Sequence, residues 1–353
     1  MGKQAPDKAD EHSPHFYGGQ AVIEGVMMRG QHTWAVAVRR PDGAIYVERH
    51  PVSDFPQRHP LFRKPMFRGM YGLVDALSIG TRALTISANE SVDEEEQLSG
   101  KEMGGSLIVA LLLFIGVFIV VPNAGLSALR DVFGSEWVYH VVESVVRVVI
   151  FLGYLWAISL VSDIKRVFAY HGAEHKTIAA WEHDEVLEPR TVDRYSTLHV
   201  RCGTNFLLML MLLATVVYSL AGVLVPPADD IGWLGYAGYQ IALRVVLLPV
   251  VAGLAYEGLR LGAGKDNLVV RAMMKPGLWL QKITTKPPHD DMIEVAIRAF
   301  EAVVPSADLG GRISPALTAP LVWGPDEVDA DADGWSPRAT GTPVAPEEPT
   351  SGG

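Results

Sequence analysis

One cysteine in 353 residues is the first scarcity to read. Cys202 has no second cysteine to pair with, so the chain forms no internal disulfide and suits a reducing compartment. A second lack is at the start. Met1 to Pro14 is polar and charged with no hydrophobic core segment, so a cleavable signal peptide is not expected there. Third, no Gly-Lys-Ser/Thr phosphate loop occurs, and the glycine-rich stretch Gly18–Gly30 lacks the preceding strand of a dinucleotide fingerprint. Positive charge is also in deficit. The net charge is -10, much of it at the two ends, and this weighs against nucleic acid as a partner.

What is plentiful is apolar sequence. Hydrophobic residues make up 49% of the chain, and the mean hydropathy is positive. Gly104–Leu129 carries no charged residue, and a bilayer needs about 20 residues of helix. Pro122 is expected to kink this run or end its regular part. Val138–Ser162 is a second span, interrupted by Glu143 and Arg147. Thr204–Ala228 is a third, and Ile231–Leu261 a fourth, holding Arg244, Pro249 and Glu257. The expected architecture is therefore mainly α, a four-span membrane helical bundle with a small α+β part, and the lipid bilayer is its expected partner.

Basic residues set the expected orientation. The 163–203 loop holds Lys165, Arg166, Lys176, Arg190, Arg194 and Arg201, whereas the two short connections near 130–137 and 226–230 hold Arg130 alone. By the positive-inside rule both termini and the 163–203 loop face the cytoplasm, as in a bacterial inner-membrane protein.

In chain order, residues 1–15 read as disordered and 16–100 as a cytoplasmic α+β region. Thr33–Arg39, the turn Pro41-Asp42-Gly43 and Ala44–Glu48 read as a β-hairpin. Met66–Asn89 reads as a helix. The membrane region is 101–262, and 263–304 follows as cytoplasmic amphipathic helices, Asp290–Val303 the clearest. From Pro305 to 353 the chain is rich in Pro, Gly and acid and is expected to be disordered. The Gly18–Gly30 stretch favours a tight loop under a small sheet. The alternative is a lid or floor of a site, with Glu24 and Arg29 facing it.

The chemistry concentrates at His171-Gly-Ala-Glu174-His175. On a helix this spacing puts two imidazoles and a carboxylate on one face. Two such imidazoles can hold one divalent metal, with zinc the expected ion. The carboxylate between them, Glu174, can then act as a general base. The same residue order marks the inverted zincin peptidases, in which a downstream glutamate completes the ligands. Glu257 is placed to do so here. Topology brings the inner ends of the second, third and fourth spans to one membrane face. His171, Glu174, His175, Cys202, Asn205 and Glu257 should meet there, with His199 a further candidate. Cys202, a soft zinc ligand, ranks below Glu257, because a lone cysteine is more often a small buried apolar residue. Glu143, Arg147 and Arg244 form a second set at similar depth toward the outer side, either an ion pair locking helices or a polar pathway.

Four stretches carry a resemblance: Gly18–Gly30 (GGQAVIEGVMMRG), His171–Lys176 (HGAEHK), Arg201–Phe206 (RCGTNF) and Gly277–Gln281 (GLWLQ). Over about residues 16–304 the chain resembles the YqhQ-like family, bacterial membrane proteins of unknown function usually labelled predicted metal-dependent enzymes. The resemblance implies a metal role for His171, Glu174 and His175. Three readings follow: a metal-dependent hydrolase acting on a membrane-associated substrate, a membrane assembly or scaffold protein with a protein partner, and a small transporter.

Overall fold

The computed structural model describes residues 17–127, 132, 136–199, 202–226, 232–262, 268–326 and 328. Residues 1–15, Arg130, Arg201 and the end of the acidic tail, about which the sequence raised expectations, lie outside them.

The polar third of the molecule is built on a five-stranded sheet in the order β1 to β5. The strands are β1 (Gly18–Val22), β2 (Gly25–Arg29), β3 (Thr33–Arg39), β4 (Ile45–Pro51) and β5 (Leu321–Asp326). The first four form antiparallel hairpins, and β5 pairs parallel with β4. The β3–β4 hairpin falls where alternation and the Pro-Asp-Gly turn put it. Gly18–Gly30, expected to be a loop, is instead a second hairpin, turning at Ile23-Glu24 with Glu24 at φ 49. Its valines and methionines supply a two-residue period that outweighs the low strand propensity of glycine.

That period divides the core into two layers. Val22, Met27, Trp34, Val36 and Val38 face helix α2 (Phe67–Glu90), meeting Ile79 and Ala83. Val26, Met28, Ala35, Ala37, Ile45 and Val47 face the other way, onto helices α6 (Ser162–Glu182) and α11 (Asp290–Glu301). The small Ala35 and Ala37 let α11 pack close. Helices thus cover both faces of the sheet, and every core strand is buried on both sides.

The helices follow in chain order. After the short α1 (Phe55–Arg58) comes α2 (Phe67–Glu90), as the periodicity predicts. Helix α3 (Gly100–Ile115) runs through a π turn at Gly116–Val120 into α4 (Val121–Ser127). Pro122 explains the turn, because its ring excludes a regular bond to the Phe118 carbonyl. Arg147 Nε donates to that carbonyl at 3.3 Å. Helices α5 (Glu136–Ile158), α8 (Gly203–Leu224) and α9 (Gly232–Gly262) complete four helices long and apolar enough to cross a membrane. Their candidate spans contain 18 to 23 residues, and at most 28% of any span is buried within the chain. Exposed Ile108, Leu112, Val145, Val216 and Val246 form a belt compatible with lipid contact.

Helix α6 (Ser162–Glu182) with α7 (Pro189–Val192) occupies what the sequence suggested was a loop. Helix α10 (Leu268–Thr284) leads to α11 (Asp290–Glu301), as amphipathic as expected, and to α12 (Ser306–Leu309). The tail read as disordered from Pro305 thus carries a helical turn and the strand β5. Arg49, 1% exposed, anchors both ends of the segment by donating to the Ala302 carbonyl at 2.8 Å and to Asp326 at 2.9 Å.

Candidate functional site

Helix α6 lies against β1 and β2 on one side and α11 on the other, so the middle of the helix is buried from Tyr170 to Ile178 apart from a partly exposed His171. The HGAEH segment occupies this inner stretch. Gly172 is required by packing: a methyl there would collide with the Lys286 carbonyl oxygen. Its absence lets the strand-like exit from α10 lie on α6, where Lys286 N donates to the Phe168 carbonyl at 2.8 Å.

The same close approach fixes His171. Its Nδ1 lies 2.8 Å from the Thr284 carbonyl oxygen. A carbonyl only accepts, so Nδ1 carries the proton and Nε2 presents its lone pair. His175 repeats the arrangement one turn on, with Nδ1 2.5 Å from the Thr197 carbonyl. The two rings are 4.4 Å apart between centroids. His171 Nε2 is 3.2 Å from Cys202 Sγ. Ligand atoms of His171, His175 and Cys202 all lie within 4.8 Å of one another. Cys202 is held by its place at the N-cap of α8, where Sγ accepts from Thr204 N at 3.4 Å and Thr204 Oγ1 at 3.2 Å.

Glu174 sits beside this trio. Gly19 of β1 lies directly on it, since a methyl at Gly19 would come within 2.9 Å of the Glu174 Cγ. The glycine-rich motif therefore meets Glu174 through Gly19, not through Glu24 or Arg29. Burial pushes the Glu174 carboxyl up to about 8, against a hydrogen bond from the Gly19 backbone. Burial also holds His171 low and, with the neighbouring His171, drives His175 down to about 3. The Cys202 thiol is raised to about 11 by burial and by Glu174, with the Thr204 hydrogen bonds opposing. At neutral pH both imidazoles are accordingly neutral donors. His175 Nε2 and Glu174 Oε2 are buried with no hydrogen-bond partner in the structure. Buried polar atoms left this way carry a desolvation cost and mark a place for a ligand or ion.

The remaining expected residues fall elsewhere. Glu257, expected as the third ligand, is not with the histidines. Its Oε1 accepts from Arg68 Nε at 2.7 Å and from Met66 N at 3.2 Å, and its other oxygen pairs with the same arginine. The cause is the α2–α9 crossing, where Gly69 meets Tyr256 and Gly253 meets Met66, bringing Arg68 over Glu257. Glu24 binds Arg166 Nε at 2.6 Å and Tyr170 Oη at 3.3 Å, tying the hairpin turn to the start of α6. Arg29 pairs with Asp75 of α2. His199 stacks 5.6 Å from His175, with its Nε2 3.5 Å from Glu182, and burial lowers its pKa. Asn205, one turn into α8, accepts from Gln281 at 3.4 Å. Gln281 also grips the His199 backbone at 2.8 and 2.9 Å. This clamp was visible in sequence only as the end of GLWLQ, and nothing in the sequence marked the Thr197 and Thr284 carbonyls. Glu143, Arg147 and Arg244 do converge, well away from the histidines.

A family model described as protein of unknown function (DUF1385) matches residues 64–306. The uncharacterized protein YqhQ of Bacillus subtilis (strain 168) is 35% identical over 306 residues, covering 82% of this chain and 93% of that protein. No solved structure matches. Neither description carries the metal-dependent label that the resemblance implied.

Proposed function

The chain belongs to the DUF1385 family, whose description states no reaction, and for this member we propose a divalent metal site, of zinc type, serving a membrane-bound hydrolase. His171, His175 and Cys202 would hold the ion. The observation that carries the reading is the pair of imidazoles, each fixed through Nδ1–H to a backbone carbonyl, with one ligand atom from each of His171, His175 and Cys202 within 4.8 Å of the others. Carbonyl-oriented histidines of this kind are characteristic of metal ligands. The donor set of two nitrogens and one sulfur suits zinc, and three protein ligands leave one position open. A metal held there would supply Lewis-acid polarisation of a bound carbonyl or ester. Glu174 would hold or pass a proton at Oε2, the atom that the fold leaves without a partner. The basic 163–203 segment supports a cytoplasmic-face site by the positive-inside rule, one that would be within reach of a membrane-associated peptide, lipid or ester.

A second reading draws on the same contacts. The cluster joins α6, the first turn of α8 and the exit of α10, and His175 and Cys202 within it are buried. A closed metal site there would be an assembly device, fastening the spans to the sheet domain.

The test is the metal content of the full chain, purified in non-ionic detergent without chelator. About one zinc per chain is expected in the wild type and in Glu174→Gln, and a large loss in His175→Ala. A wild type that takes up no zinc on reconstitution overturns the site. If Glu174→Gln keeps zinc and also keeps whatever hydrolysis the wild type shows, the assembly reading stands instead.

A further inference from the structure

A second candidate site lies among the four long helices, independent of the metal reading. A cavity of about 390 Å³ opens between α3, α5, α8 and α9. That size is within the roughly 300–1,000 Å³ usual for small-ligand sites. Its two ends differ. One is lined by Phe114, Phe151, Leu207 and Leu248, and the other gathers Glu143, Arg147, Gln240 and Arg244 near Tyr218.

The charged end is built. Glu143, its side chain 4% exposed, pairs with Arg147 one turn along α5 and lies 3.7 Å from Arg244 across the cavity. Arg244 Nη1 donates to Gln240 Oε1 at 2.5 Å, and the guanidinium lies 5.6 Å from the centre of the Tyr218 ring. Among the described lining residues there are two guanidiniums and one carboxylate, an excess of one positive charge. Tyr218 is six residues from the end of α8, which puts this end about 9 Å along the helix from its terminus. At such a depth a net charge is costly, and an anion entering beside the arginines relieves that cost. The long apolar half excludes a small hydrophilic anion as the natural occupant, because most of the cavity would then hold unmatched water. It suits an acyl chain.

We infer that the cavity binds one anionic amphiphile, its monoanionic head at Arg147 and Arg244 and its chain running toward Leu207. A fatty carboxylate and an anionic phospholipid share this chemistry. Native mass spectrometry of the full chain in non-ionic detergent separates them, with oleate, phosphatidylglycerol and zwitterionic phosphatidylcholine as probes. One molecule of oleate or phosphatidylglycerol per chain should be retained at least tenfold better than phosphatidylcholine. Retention of oleate alone identifies a free acid, and of phosphatidylglycerol alone a phospholipid. Arg244→Gln should cut retention at least tenfold and Arg244→Lys should preserve it. Ala214→Phe, which fills the cavity wall without touching charge, should expel the probe. Equal retention of phosphatidylcholine, no retention of any probe by the wild type, or undiminished preference in a folded Arg244→Gln overturns the inference.

Discussion

At the scale of single residues, the histidine pair was legible because i, i+4 spacing on a helix leaves little choice of geometry. The third member of the cluster was not. Glu257 and Cys202 both end spans at the same face, and only the α2–α9 crossing decides that Arg68 takes the glutamate. Cys202 is placed instead by its own N-cap bonds to Thr204. The substitution of a thiol for a carboxylate has a measurable consequence. A ligand thiol must lose its proton, and Cys202 keeps its proton until about pH 11. Rising pH therefore tightens metal binding across the whole neutral range. His171 and His175 are already neutral there and contribute no dependence. Glu174, raised to about 8, adds a second released proton below that pH when a cation sits beside it. Zinc affinity measured by chelator competition should rise about tenfold or more per pH unit between 6.5 and 8.5. The slope should fall by about one proton in Cys202→Ala. An unchanged slope in that variant would remove Cys202 from the ligand set.

Whole elements were legible where one physical signal dominated. Apolar runs of helical length, two of them free of charge, gave the spans, Leu and Ile periodicity gave α2, and alternation around Pro-Asp-Gly gave the β3–β4 hairpin. The β1–β2 hairpin was missed because its glycines argue for a loop locally, while pairing with β3 is a tertiary effect. Close approach of elements was equally invisible, and it is what builds the site. Gly172 and Gly72 both lie in helices, yet their surroundings differ. A methyl at Gly172 meets the Lys286 carbonyl, whereas nothing lies within 4 Å of one at Gly72. Gly72→Ala should stabilise the protein by about 0.5–1 kcal/mol, the usual helix-interior gain. Gly172→Ala should cost about 1–3 kcal/mol by overpacking and pull Thr284 from His171, lowering zinc content as well. Thermal unfolding in detergent, with metal analysis alongside, checks both. Equal tolerance of the two substitutions would show that the α6–α10 approach does not hold the site.

At the scale of the molecule, the sheet domain is assembled from distant stretches: residues 18–51, α6 and α11 with β5 share one core. Strand β5 escaped notice because Leu321–Asp326 is short, holds Gly and Pro, and pairs in parallel with a strand some 275 residues earlier, a register that no local pattern encodes. The shared core imposes a topology that the four apolar helices must obey. Two lie between α2 and α6, and two between α6 and α11, so the chain leaves the domain and returns to it twice. If the helices cross a bilayer, the turn at Asp42, the end of α6 at Asp184 and the tail at Asp308 share one side, while the α8–α9 connection at Val225 lies on the other. Under the orientation proposed from the positive-inside rule, the basic 163–203 segment would put the shared side in the cytoplasm. Single cysteines at these positions, in a Cys202→Ala background, should report this with a membrane-impermeant maleimide. Asp42→Cys, Asp184→Cys and Asp308→Cys should label in inverted vesicles and be protected in intact cells, and Val225→Cys should do the reverse. Labelling that separates Asp184 from Asp42 would break the one-core arrangement, and with it the meeting of α6, α8 and α10 that puts His171 beside Cys202.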